Sequence, residues 1–177
     1  SWCSGIVPMK RRNAGRSIAS AVQTGCYGQG LPTGMNCMSA TKAFVDTNIL
    51  VYAHDLAAGE KHTRARSLVE RLWNDRCGVL STQVLQEFYV NIRKKARAPV
   101  SPADAKQWLA DYLNWEVVIN DTNAVIEAID WEERYQISFW DALILQAASS
   151  AGAEILYSED LNHGQHYENL RVQNPLL

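Results

Sequence analysis

Acidic residues are missing from the first forty positions of this 177-residue chain, which carry Lys10, Arg11, Arg12 and Arg16 and six of the ten glycines (5, 15, 25, 28, 30 and 34). A stretch of that composition has no apolar periodicity with which to join a core. Residues 1–37 are therefore expected to be a disordered or non-native N-terminal extension, with one domain over 38–177. Arg and Ser without acids also suit an organellar transit peptide, but Met35 and Met38 stand directly before the first structured run, and a misassigned start fits better. Gly28-Gln29-Gly30 is no nucleotide loop, because Thr33 occupies the place of a third glycine and no strand precedes it. Cysteine is scarce as well: Cys3, Cys26 and Cys37 precede the domain and Cys77 alone falls within it, which excludes a disulfide framework there. No apolar run approaches the roughly 20 residues of a membrane helix, so no membrane association is expected.

What remains, residues 41–177, holds 13 basic against 19 acidic side chains, a net of -6. Short apolar runs alternate with longer amphipathic ones. Strands are expected at Ala43 to Val45, Gly78 to Ser81, Glu116 to Ile119, Glu154 to Ser158 and Leu170 to Val172. Between them, His62 to Arg76 repeats Ala65, Leu68, Val69, Leu72 and Trp73 at helical spacing, and the helix after Thr82 carries Leu85, Phe88, Tyr89 and Ile92. Ser101-Pro102 opens a helix with Trp108, Leu109, Tyr112 and Leu113 inward, Asp121 or Thr122 caps another, and Ser138 caps a last one that Gly152 ends. Alternation of this kind implies parallel pairing through helical crossovers. The fold class is α/β: a three-layer α/β/α sandwich with a short parallel sheet.

In such sheets ligands gather beyond the carboxyl ends of the strands. Asp46 interrupts the apolar run Ala43-Phe44-Val45-Asp46-Thr47-Asn48-Ile49-Leu50 at that end of the first strand, and Asp160 follows another. Glu87 and Asp141 interrupt apolar helix starts. Each has an ordinary structural use: Asp46 as a helix cap, Asp141 in a capping box with Ser138, Glu87 in solvent, Asp160 in a turn. Together they are harder to explain, because like charges brought side by side cost several kcal/mol unless a cation or a raised pKa relieves them. A hard divalent cation such as Mg²⁺ takes carboxylate oxygens and waters and binds phosphate on its open positions.

Val45-Asp46-Thr47-Asn48, Gln86-Glu87-Phe88, Phe139-Trp140-Asp141-Ala142-Leu143-Ile144 and Tyr157-Ser158-Glu159-Asp160-Leu161, in that order and at those separations, resemble the PIN-domain nucleases, and among them the VapC-type toxins of bacterial toxin–antitoxin pairs. The resemblance runs from about Ala43 to Pro175; residues 1–37 have no counterpart in it. It implies a Mg²⁺- or Mn²⁺-dependent endoribonuclease that hydrolyses RNA with a metal-activated water and no covalent intermediate. By the same resemblance Asp46, Glu87, Asp141 and Asp160 are the catalytic acids, Asp46, Asp141 and Asp160 the metal ligands, and Thr47 and Asn48 supporting residues. Glu159 is an alternative to Asp160. A cognate antitoxin, a homodimer and a cytoplasmic location are implied too.

Weaker signals surround these. Arg93, Lys94, Lys95 and Arg97 are candidates for RNA phosphates, or simply for the negative end of a helix. His163 and His166 lack a third ligand for zinc and are expected at the surface. Trp140 either stacks a base or joins the core. A phosphorylated receiver domain would need an acidic pair after the first strand, and a haloacid-dehalogenase-like phosphatase a second Asp where Asn48 stands. The closer rival is a PIN fold that binds RNA or protein without cutting.

Overall fold

The computed structural model describes residues 41–94 and 100–177. The expected extension over 1–37, and Lys95 and Arg97 with it, lie outside the described residues. At the centre is β1 (Ala43–Val45), three wholly buried residues that suit a strand covered on both faces. It pairs in parallel with β2 (Gly78–Ser81) on one side and β4 (Ile155–Tyr157) on the other, with Ala43 in register with Gly78 and with Ile155. The sheet order is β3-β2-β1-β4-β6-β5, where β3 is Glu116–Val118, β5 His166–Tyr167 and β6 Leu170–Gln173. Only β5 runs antiparallel, in a short hairpin with β6.

Among the described residues six α-helices fill the crossovers. After β1 come α1 (Thr47–His54) and α2 (Glu60–Asp75), after β2 come α3 (Thr82–Lys94) and α4 (Pro102–Tyr112), and after β3 come α5 (Thr122–Tyr135) and α6 (Phe139–Ser150). The chain steps outward from β1 to β2 to β3 and then returns past β1 to β4. Because parallel crossovers are right-handed, α1 to α4 cover one face and α5 and α6 the other, which makes the three layers. The strand order reverses between β1 and β4, and the carboxyl ends of those two strands are the switch point where such folds bind ligands. Among the described residues no helix is long and apolar enough to cross a membrane.

Local chemistry explains the helix starts. Ser101 Oγ accepts from Asp104 N–H ahead of a Pro at the first turn, Asp121 accepts from Asn123 and Ala124, and Ser138 accepts from Asp141. Gly152, at φ 67°, adopts the left-handed turn that closes α6. Gly78 is small for another reason: a Cβ there would stand 2.3 Å from the Trp115 ring. That ring joins Trp73, Tyr112 and Phe88 in an aromatic cluster beneath α1 to α4.

Four details differ from the sequence expectation. The buried stripe of α3 is Val84, Phe88 and Ile92, joined by Gln83, whereas Leu85 is half-buried and Tyr89 exposed. Leu113 is not inward but 65% exposed, since α4 has ended at Tyr112 and the chain turns toward β3. Strand β3 stops at Val118 and leaves Ile119 outside the ladder. The hairpin strand β5 has no period long enough to be read.

Candidate functional site

Asp46 ends β1 and caps α1, two duties that fix its carboxylate at the switch point. Oδ1 accepts from the Thr47 N–H at 2.6 Å, and Oδ2 accepts from the Ser158 hydroxyl, one residue beyond β4, at 2.8 Å. Asp46, Thr47 and Ser158 are all buried. Ser158 Oγ in turn accepts the Asp160 N–H at 3.2 Å, and Asp160 Oδ2 accepts from Asn48 Nδ2 at 2.5 Å. One turn of α1 and the loop after β4 are thus sewn together through the acids themselves.

Glu87 enters from α3. Its Oε2 accepts the Thr47 hydroxyl at 2.8 Å and its Oε1 accepts Gln83 Nε2, one helical turn earlier, at 3.0 Å. The same Gln83 nitrogen also donates to the Trp140 carbonyl at 3.3 Å, which ties the start of α6 to α3. Asp141 sits in the first turn of α6, where Ser138 Oγ accepts from its N–H at 3.2 Å and donates to its Oδ2 at 2.7 Å. The capping-box role is therefore real, and it leaves Oδ1 outside the cap.

The charges act on one another. Burial pushes the Asp46 carboxyl up to about 6; the hydrogen bonds from Ser158 and Thr47 oppose the rise, and the charges of Asp160 and Glu87 add to it. Asp160 is also raised, first by burial and then by the charges of Asp141 and Glu159, against the hydrogen bond from Asn48. All four acids singled out in the sequence are linked in this way, Asp46 to Glu87 and Asp160, and Asp160 to Asp141. Glu159 behaves differently. Burial pulls its pKa up, but hydrogen bonds from Lys61 and Tyr52 outweigh that and hold it below the usual carboxylate range.

Among the described residues no three His, Cys, Asp or Glu side chains close into a group able to cage an ion by themselves. The donor chemistry nonetheless suits a hard cation. The candidate ligands are all carboxylate oxygens, Asp46 carries repulsion that a cation would relieve, and Mg²⁺ commonly takes only one or two carboxylates and keeps its waters. Of the expected phosphate-binding cations, Arg93 donates to the Val100 carbonyl at 2.7 Å and Lys94 lies exposed in the last turn of α3. His163 Nδ1 accepts from the Asn174 N–H, and His166 lies exposed on β5. Ser158 and Gln83 escaped the sequence reading. The signal for Gln83 was there, four residues before Glu87 on a helix; that for Ser158 required knowing that β4 lies beside β1.

A doubly flanked parallel sheet with Asp46 and Asp160 joined through Ser158 at its switch point defines the class: an α/β domain with acids at the carboxyl ends of its central strands. A PIN domain family model matches residues 43–168, and the chain belongs to that family. Solved structures share the fold. They include the VapC20 toxin of Mycobacterium tuberculosis, which cleaves the sarcin-ricin loop, at 22% identity over 67% of this chain and 90% of that one, with a TM-score of 0.53. A toxin–antitoxin complex from Klebsiella pneumoniae matches at 18% identity, 76% and 98% coverage and a TM-score of 0.55. DNA-bound VapBC from Salmonella typhimurium matches at 19%, 76% and 98%, with 0.54. No curated protein sequence matches the chain.

Proposed function

We propose that this PIN-domain protein is a Mg²⁺- or Mn²⁺-dependent endoribonuclease and the toxin of a toxin–antitoxin pair. One observation carries the reading: Asp46 is buried at the switch point, and the charges of Glu87 and Asp160 bear on it, an arrangement unfavourable to stability unless it serves a cation. Asp46, Asp141 and Asp160 would hold the ion, and Glu87, fixed by Thr47 and Gln83, stands beside them. Asp160 is preferred to Glu159 as the fourth acid because Glu159 is engaged by Lys61. When bound, the cation supplies a water of lowered pKa and neutralises charge on the scissile phosphate. The residues orient that chemistry: Ser158 and the Thr47 N–H hold Asp46 with both oxygens in place, and Asn48 steers Asp160.

Support for the toxin role comes from family membership and from the neighbours, two of which are toxin–antitoxin complexes. An antitoxin segment with a basic side chain among the acids would neutralise the site as the cation does. Val125, Ile126 and Ile129 expose apolar surface along α5, which suits the expected homodimer. A cytoplasmic location follows from the same reading.

The test is cleavage of single-stranded RNA by the full chain with Mn²⁺ or Mg²⁺, with EDTA, and with Asp46→Asn. Cutting that needs the metal and falls at least about 100-fold in the variant is expected. Metal-independent cutting, or undiminished cutting by the variant, refutes it. Because the acids do not close into a cage as placed, a PIN fold that binds RNA without cutting is the second reading, and tight RNA binding without cleavage would favour it.

A further inference from the structure

We propose that the Trp140 indole is a stacking platform for an unpaired RNA base bound beside the acidic centre. The inference rests on the nuclease reading and adds a substrate contact to it. Two consecutive aromatics open α6, and the helix sends them in different directions. Phe139 packs against the cluster formed by Ala124, Ala128, Ala142 and Leu143 between α5 and α6, and the buried run of α6 begins at Ala142. Trp140, about 100° further around the helix, is 62% exposed. Among the described residues its aromatic neighbour is Phe139, edge to face at 5.3 Å between centroids and 72° between planes.

An exposed indole by itself needs no explanation. The anchoring of this one does. Its carbonyl accepts from the same Gln83 nitrogen that donates to Glu87, and the next residue is Asp141, whose charge bears on Asp160. The backbone that carries the ring is therefore fixed to the frame of the acids. The Ser138 cap on Asp141 holds the same turn.

The electrostatics explain why such a contact is useful here. Residues 41–177 carry a net of -6, and the site itself is acidic, so a polyanion approaching it is repelled until a cation is in place. Stacking of a base on an aromatic ring is independent of net charge and of base identity. It requires a base whose face is free, which means single-stranded RNA, a loop or a bulge rather than a continuous duplex.

The experiment measures binding of a short fluorescent single-stranded RNA by anisotropy in the full-length Asp46→Asn protein, with and without Trp140→Ala, over a range of salt. Trp140→Ala is expected to raise Kd by roughly 5- to 150-fold, the range that loss of one stacked base gives. Because no phosphate contact is removed, the slope of log Kd against log salt stays the same, and Trp140→Phe restores part of the affinity. In the cleaving protein the loss falls on KM rather than kcat. Unchanged Kd and KM in a Trp140→Ala protein that melts normally overturns the proposal, as does a changed salt slope. Unchanged RNA binding with weakened self-association overturns it too, and would assign the ring to a protein interface. Wild-type protein that cuts RNA with a KM indifferent to Trp140 sinks this inference alone; wild-type protein that neither binds nor cuts RNA sinks the nuclease reading with it.

Discussion

Replacing Asp46 with its amide should make the metal-free protein more stable, and by an amount that depends on pH. The carboxyl titrates near 6 in the folded protein against 3.8 in a free chain, which corresponds to a penalty of about 3 kcal/mol once it is ionised. The folded state holds this proton more tightly than the unfolded chain does. Between about pH 4 and pH 6, therefore, folding takes up a proton, and stability falls as pH rises; below about pH 4 both states are protonated and the penalty vanishes. From pH 4.5 to pH 7.5 about 2 kcal/mol of it develops. Asp46→Asn removes the titration and puts an amide against Ser158, a hydrogen-bond change worth about 1 kcal/mol that does not vary with pH. Titration of groups that do not interact with Asp46 is common to both proteins and cancels. The melting temperature of the variant minus that of the wild type, measured in EDTA, should thus increase by about 4–8 °C from pH 4.5 to pH 7.5. Adding Mn²⁺ at pH 7.5 should then raise the wild type more than the variant. A difference that stays flat across this range would mean that Asp46 is not a strained acid, and the case for a cation site would lose its main support.

Three further outcomes are expected. His54 is enclosed by Trp108, Phe88 and Tyr112, and burial, with smaller contributions from Arg66 and His62, lowers its pKa from 6.5 to about 4. Here the folded state resists protonation, so His54 alone takes away about 2–3 kcal/mol as pH falls from 7 to 4.5, opposite in sign to Asp46; the stability of His54→Phe minus that of the wild type, from urea melts at the two pH values, should rise by that amount over the same fall. Gly78→Ala should cost about 1–3 kcal/mol in urea unfolding, because the new methyl meets the Trp115 ring, and the cost should shrink when combined with Trp115→Leu. Ser158→Ala removes the donor to Asp46 and the acceptor of the Asp160 N–H; it should raise the Asp46 titration midpoint, followed by carboxyl NMR, and lower cleavage even at saturating metal.

Much of this was legible because it is local. Ser101-Pro102, Asp121 and the Ser138-to-Asp141 pair announce helix starts through chemistry confined to three or four residues, and the structure places helices there. Asp46 stood out because a carboxylate at the end of a three-residue apolar strand has few uses. The face of α3 was misread because Val84 and Leu85 are both apolar, and only the neighbouring helices decide which is covered. The indole of Trp140 could not be assigned to core or solvent without knowing that Phe139 takes the seat between α5 and α6. Ser158, the residue that holds Asp46, is invisible for a different reason: its partner is 112 positions away.

That separation governs when the proposed site is complete. The centre of the sheet is closed by β4, and Asp46 has no Ser158 or Asp160 beside it until residues 155–160 have been made and laid against β1. Pairings between such distant segments form late, since the long intervening chain must first be drawn together. A ribosome that has made α1 to α6 is therefore carrying Asp46, Glu87 and Asp141 without Ser158 or Asp160, and the site is incomplete. The nuclease proposed here would be assembled only as the last stretch of the chain arrives, so a transcript cut short or a reading frame lost before β4 yields a harmless product.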